Sequence, residues 1–259
     1  MNTSASTLPD LTVTPLSASP SGALQGQTVV LFGGTSGIGL AAAIQAKAAG
    51  AKVIVIGSNA ERARQAATAN GLDGWRAADV TRSETITTAL ADIAQVDHLV
   101  LLAGSFVAGK VRDAEVDYLQ RAFDERIWAS VHAIRALGDR LSKNGSITFI
   151  SGALSDRPNA FGTAVLGAAS AAMGALARGL ALELAPTRVN ALSPGITDTP
   201  LLSRAFGDGL DAFVSSLKDK LPQHRLVTAA EAGAAVVFLM TNGGMNGQTL
   251  HIDGGSRLV

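Results

Sequence analysis

An α/β fold is predicted for this chain: a parallel, doubly wound sheet of about seven strands flanked by helices, in a single domain. Three observations predict it. Apolar runs of strand length alternate with longer helical patterns, as in repeated strand–helix–strand units. The short runs are β-branched and apolar throughout, as expected of strands covered on both faces. A glycine-rich turn joins the first short run to the first helical pattern.

The elements follow in order. Val29, Val30, Leu31 and Phe32 make 28–32 the first strand, and the turn after it opens a helix over 37–49. Val53, Ile54, Val55 and Ile56 carry a second strand over 52–56, followed by a helix over 60–69. A short strand at 75–77 and a helix over 83–94 come next, then a fourth strand at 98–102 and a long helix over 114–141. The fifth strand is 146–150. An alanine-dominated helix then covers 160–184, with glycines at 162, 167, 174 and 179. Strand 188–192, helix 229–241 and strand 249–252 complete the pattern. Between Pro200 and Pro222, the residues Phe206, Leu210, Phe213 and Leu217 fall at helical spacing. They suggest a lid over a pocket, the alternative being a plain amphipathic helix pair. Crossovers between the parallel strands should be right-handed.

Bulk properties narrow the function classes. A chain of 259 residues, nearly half of them hydrophobic, suffices for a sizeable core. Its 21 basic residues balance 21 acidic ones with no basic run, so charge gives no reason to expect nucleic acid or an anionic membrane as partner. With no cysteine, disulfides, thiolate metal sites and a cysteine nucleophile are excluded. That usage is compatible with the cytoplasm, the expected location. His132, His224 and His251 lack metal-ligand spacing, and no metal is expected. No apolar run reaches the roughly 18 residues needed to span a bilayer. Residues 1–21 are rich in Ser, Thr, Pro and Ala and lack the basic start and apolar stretch of a signal peptide. Residues 1–24 are read as a flexible arm before a domain over 25–259, with packing on a neighbouring subunit as the alternative.

Two stretches say more. One is Val30-Leu31-Phe32-Gly33-Gly34-Thr35-Ser36-Gly37-Ile38-Gly39; the other is Leu182-Glu183-Leu184-Ala185-Pro186-Thr187-Arg188-Val189-Asn190-Ala191-Leu192-Ser193-Pro194-Gly195. Together they resemble the short-chain dehydrogenase/reductase family, over about residues 25–257. The resemblance implies a Rossmann-type sheet, a nicotinamide dinucleotide, a small-molecule substrate and a homodimer or homotetramer. In the family the helix over 160–184 packs on its copy; burial within one subunit is the alternative. Gly33, Gly37 and Gly39 let the backbone approach a pyrophosphate, and the helix start at Thr35, Ser36, Gly37 and Ile38 offers N–H groups and a positive dipole end. The small hydroxyl that the family places before the first glycine is replaced by Phe32.

An acid at the end of the second strand would hold the adenosine ribose and select NAD. Here Val55-Ile56-Gly57-Ser58-Asn59 carries no carboxylate. Ser36, Ser58, Asn59 and Arg62 would instead surround a 2′-phosphate, which favours NADP(H) over NAD(H). The alternative for Arg62 is a solvated helix residue. The resemblance assigns Asp79, with Val80, to the adenine, and Ala103 and Gly104 to the ribose, where Leu101 and Leu102 replace polar residues. It assigns Pro194, Gly195, Ile196 and Thr199 to the nicotinamide carboxamide. Asn190 and Asp253-Gly254-Gly255 also match, as structural residues.

The chemistry positions depart from the family. Reduction of a carbonyl needs a hydride and then a proton. In the family a Tyr gives the proton, its pKa lowered by a Lys four residues on and by the positive ring. A Ser orients the carbonyl and an Asn anchors a water. Counting back from Pro186, the Tyr and Lys positions hold Leu166 and Ser170. The Ser position holds Gly152, with Ser151 one residue away and directed to the opposite strand face. The Asn position holds Arg126. Tyr118, the chain's only tyrosine, has Ala122 four residues on and does not replace the missing donor. Arg126, Ser151 and Ser170 are the remaining candidates for chemistry. Arg126 would stabilise an alkoxide if it reaches the pocket, the alternative being a surface ion pair with Asp124 or Glu125. Ser155, Asp156 and Arg157 would bind a polar or anionic ligand, or are simply solvated. The expected function is a divergent NADP(H)-dependent oxidoreductase; a silent NADP(H)-binding or scaffold protein, or a non-redox enzyme reusing the pocket, is the alternative.

Overall fold

Both faces of β1 (Thr28–Phe32) meet a helix layer: Val30 and Phe32 pack to one side, Val29 and Leu31 to the other. The computed structural model, which describes residues 22–259, repeats this in β2 (Lys52–Gly57), where Ile54 and Ile56 face one layer and Val53 and Val55 the other. This explains why, past the polar first residues Thr28 and Lys52, these strands carry apolar side chains on both faces: neither face reaches water there. Around β1 and β2 lie α1 (Gly37–Ala48), α2 (Ala60–Ala69), β3 (Gly74–Ala77), α3 (Ser83–Leu90) and β4 (Val96–Leu101).

After β4 come α4 (Val116–Phe123), a π-turn (Asp124–Trp128) and α5 (Ala129–Leu137), then β5 (Leu141–Ile150), α6 (Ala164–Glu183) and β6 (Arg188–Pro194). The chain closes through β7 (Thr197–Asp198), α7 (Pro200–Phe206), α8 (Leu210–Lys218), β8 (Val227–Thr228), α9 (Ala229–Thr241) and β9 (Thr249–Ile252). Seven strands form one parallel sheet in the order β3-β2-β1-β4-β5-β6-β9, and β7 pairs with β8 in a small parallel ribbon. Strand order reverses between β1 and β4, so a crevice opens beyond their C-terminal ends. Ala42, Ala43 and Ala46 of α1 and Val236 and Leu239 of α9 cover one face; Ile86 and Leu90 of α3, Ala133 of α5 and Met173 of α6 cover the other.

Several boundaries differ from expectation. The long helix predicted over 114–141 is interrupted by the π-turn and ends at Leu137, and Leu141 already belongs to β5. The predicted start of the 160–184 helix is too early because Gly162 sits at φ +75°, a left-handed conformation that a helix cannot contain. Of that helix's glycines, Gly167 and Gly174 serve contacts within the subunit: a Cβ would stand 2.9 Å from Leu154 O and 2.8 Å from Thr249 Oγ1 respectively. By length and composition α6 could cross a membrane, yet it packs on β6 and α4 with Met173, Ala177 and Ala181 in the core. Of the expected arm, residues 1–21 lie outside the described residues. Leu24 is buried and its amide donates to Ala49 O at 2.9 Å, so the packed domain already includes it. The segment between Pro200 and Pro222 forms α7 and α8, with no buried residue in either and the Phe206 and Phe213 rings stacked at 3.8 Å.

Candidate cofactor and substrate site

The glycine turn after β1 is shaped by close approach. Gly33 has φ +78°, and a Cβ there would stand 2.8 Å from Ala103 N and from Leu102 C. The first and fourth strands therefore meet backbone to backbone at the crevice. A Cβ on Gly39 would run into the Gly33 carbonyl. A Cβ on Gly37, at φ +53°, would stand 3.2 Å from the Thr199 side chain, so the helix start and the segment after β6 lie together. Ser36 caps α1 in extended conformation without a side-chain hydrogen bond. Among the described residues nothing accepts from the amides of Gly37, Ile38 and Gly39. Free amides at the start of a twelve-residue helix fit a phosphate. Thr35 is buried, with its side chain against Gly57.

The adenosine end is mixed. Ser58, Asn59 and Arg62 are all exposed just past β2. Asn59 Oδ1 accepts from the Arg62 amide at 2.8 Å, so this side chain caps α2 and only its amide group remains to bind. The Arg62 guanidinium makes no hydrogen bond or ion pair among the described residues. The nearest acid in sequence, Glu61, is held by Arg64 and Gln65. Asp79 Oδ1 accepts from Thr81 N at 3.0 Å and Thr81 Oγ1 at 2.7 Å. These two bonds hold its carboxyl below the usual range. Oδ2 is left open among the described residues.

On the nicotinamide side, Thr197 Oγ1 donates to Gly195 O at 3.0 Å, and a Cβ on Gly195 would stand 2.8 Å from Asp253 Cα. Pro194, Gly195, Ile196 and Thr199 are half-buried, with Gly195 against Asp253 and Thr199 against Gly37. Asn190 is fully buried, donating to Met245 O and accepting from Gln248 N, and Asp253 accepts from Gly255 N and Arg257 N. Both are structural, as expected.

The positions that resemble a proton relay are closed. Leu166 is 3% exposed and packs with Val107, Leu119, Ala122 and Ala169 in a separate small core. Ser170 donates to Leu166 O at 2.9 Å, back along its own helix, and Ser151 donates to Ser170 O at 2.8 Å. The structure brings Ser151, Gly152 and Ser170 together, but both hydroxyls are buried and spent on carbonyls. Ser155 Oγ donates to Gly152 O, His251 Nδ1 lies 3.6 Å from Asp156 Oδ2, and Arg157 Nη1 donates to Arg257 O. That loop is thereby tied to β9 and the C-terminal turn.

Arg126 is no surface residue. It is 8% exposed, with Nη2 donating to Ser105 O at 3.1 Å and Nη1 at 3.4 Å from Ala122 O. Glu125 pairs with Arg121 at 2.7 Å instead, and its other oxygen accepts from Ser105 N at 2.5 Å and Ser105 Oγ at 2.6 Å. Sequence reasoning named Glu125 only as a surface partner for Arg126 and did not single out Ser105. A signal was present for Arg126, because Leu119, Ala122, Ala129 and Ala133 at helical spacing place it on the inward face. Nothing local marked Ser105.

The comparisons agree with this geometry. Residues 33–257 match the family model described as enoyl-(acyl carrier protein) reductase. A short-chain dehydrogenase/reductase of Stachybotrys chlorohalonatus is 32% identical, over 91% of this chain and 98% of the relative. A cis-2,3-dihydrobiphenyl-2,3-diol dehydrogenase of Pseudomonas putida is 31% identical, over 90% of this chain and 91% of its own length. Among solved structures, a small-chain dehydrogenase in complex with NADPH superposes with a TM-score of 0.79 at 34% identity, covering 91% of this chain and all of that one. A reductase/Diels-Alderase of Malbranchea aurantiaca superposes at 0.86, over 93% of this chain and all of that one, and at 24% identity shares the fold alone. With the glycine cradle, the strand order and these matches in agreement, the chain belongs to the short-chain dehydrogenase/reductase family.

Proposed function

We propose that this chain is an NADP(H)-dependent oxidoreductase that moves a hydride to or from a small apolar carbonyl, imine or enone without the family's Tyr/Lys relay. The observation that carries it is the contrast between open cofactor donors and a closed relay. Among the described residues the amides at Gly37–Gly39 and the Ser36 hydroxyl have no partner, whereas Leu166 and Ser170 are packed and neutral. When bound, the nicotinamide supplies or accepts the hydride. The chain's own residues bind, orient and keep the site dry. The proton of a reduction then comes from water, or is not needed at once when an enone yields an enolate. The absence of a carboxylate after β2, with Ser36, Ser58 and Arg62 exposed or half-buried there, supports a 2′-phosphate. The Pseudomonas relative acting on a dihydrobiphenyl diol supports an apolar substrate.

Calorimetric titration with NADPH and NADH, followed by absorbance of NADPH with a panel of ketones, imines and enones, tests the reading. Turnover on the pre-activated substrates and little on simple ketones is expected; tight binding with no turnover on any would sink it. That outcome would favour the second reading, a silent NADP(H)-binding protein or a non-redox enzyme, for which the packing of Leu166 is the favouring observation. The subunits pair through the outward face of α6, where Ala164, Ala168, Ala171, Ala175, Gly179 and Leu182 are exposed.

A further inference from the structure

Arg126 is the only arginine or lysine that is buried among the described residues. Its guanidinium lies on Gly104, where an added Cβ would stand 3.1 Å from Cζ and from Nη2. Its partners are two carbonyls, and Nε has none among the described residues. Beside it is a small cavity whose wall is mostly apolar, with Phe32, Leu101, Ala103, Ile150 and Met173, and which Glu125 and Ser130 also line. Glu125 offsets the charge only in part, because its oxygens are held by Ser105 and Arg121. Burial accordingly pulls the Arg126 pKa below the ordinary arginine value. A guanidinium nonetheless stays charged at neutral pH. The π-turn thus fixes a partly compensated, buried cation at the position of the family's active-site Asn, behind Gly104, which the resemblance sets against a cofactor ribose. Ser170 contributes no charge from α6, so this cation comes from a different element than the family's lysine.

We infer that Arg126 selects the oxidation state of the bound cofactor, favouring the reduced form and with it the reductive direction. The inference rests on the cofactor reading proposed above. An oxidised nicotinamide ring is positive and a reduced ring neutral, while the phosphates are common to both. A fixed cation nearby therefore repels one form and leaves the other untouched. Phe32 and Leu101, which line the cavity beside Arg126, offer no polar group to screen that repulsion. Transfer of the hydride to substrate carbon, with a proton from water to its oxygen or nitrogen, leaves the ring cationic. The charge that favours loading of the reduced cofactor thus also weakens retention of the oxidised one.

Dissociation constants of the full chain for NADPH and NADP⁺, measured by calorimetry, test this; NADH and NAD⁺ serve if that pair binds tighter. Wild-type protein should prefer the reduced form by about tenfold or more, an ordinary charge–charge interaction in partly buried protein. Arg126→Gln should bring the ratio toward unity and Arg126→Lys should keep most of it. Glu125→Gln, which removes the neighbouring negative charge, should widen it. A purely structural role would weaken both forms equally and leave the ratio unmoved. Equal affinities in the wild type overturn the inference, and so does a ratio unmoved by Glu125→Gln, which carries the test if Arg126→Gln does not fold. Failure of the wild type to bind any nucleotide overturns the cofactor reading instead.

Discussion

Gly33 and Leu166 show how single side chains set what this site can do. Gly33 holds a left-handed conformation and a backbone contact with Ala103 that leaves no room for a methyl group. Gly33→Ala should therefore lower stability by about 1–3 kcal/mol and abolish stabilisation by NADPH. Chemical unfolding with and without the nucleotide checks both, and an intact NADPH effect would show that the turn is not the phosphate cradle. Leu166 acts in the opposite sense, by filling. Leu166→Tyr with Ser170→Lys adds a phenol and an ammonium to a space now occupied by Val107, Leu119, Ala122 and Ala169. The double variant should cost about 1–3 kcal/mol through overpacking. It should nevertheless raise simple-ketone reduction by about 100-fold or more, the usual contribution of a general acid. Absence of any gain in a folded variant would mean that the pocket, and not only the relay, has been rebuilt.

At the scale of elements, a buried histidine in β4 joins the residue before β1 to the middle of β5. His98 Nδ1 lies 2.8 Å from Ser146 Oγ and Nε2 2.6 Å from Gln27 Oε1. Desolvation is the main cause that holds its pKa down to about 4, with the Arg188 charge adding to it. The folded pKa is below the unfolded one, so the unfolded chain takes up the proton first. Stability from this group is complete above about pH 6.5 and is lost as pH falls toward 4, by up to about 3 kcal/mol. Urea unfolding between pH 7 and 4 should show that slope, and His98→Gln should flatten it. A slope unchanged in the variant would assign acid sensitivity to other groups. The elements themselves were legible because strand faces such as Val29–Phe32 repeat one burial pattern. The broken helix before β5 was not, since a π-turn leaves the inward spacing of Ala122, Arg126 and Ala129 nearly intact. Nor was the burial state of Ser151 and Ser170, which depends on what β5 and α6 present to each other. The glycine cradle could be read because spacing and position dictate it. The Glu125–Ser105–Arg126 cluster could not, because Ser105 reaches it only through the path of the loop after β4.

For the whole molecule, the open question in the surface is the outward face of α6. Its inward small residues are accounted for by contacts with Leu154 and Thr249, but the outward row is not. Ala164, Ala168, Ala171, Ala175 and Gly179 expose a strip of small side chains that Arg178 borders, Leu182 is 83% exposed, and Trp128 on the π-turn packed against α6 is 54% exposed. A contiguous exposed apolar surface of this kind marks an association site. Small side chains allow two helices to approach closely, and a two-fold arrangement would set each residue near its own copy. Ala175→Arg then places two like charges face to face across the axis, which costs several kcal/mol and should weaken association by at least about 100-fold. Sedimentation of the wild type should give a dimer or tetramer, and the variant should run as a smaller species with unchanged secondary structure. The same variant should keep its affinity for NADPH within about threefold, because α1 and the turn after β1 lie on other elements. A wild type that sediments as a monomer, or a variant of unchanged mass, would rule out this face as the contact and leave Leu182 and Trp128 to another partner.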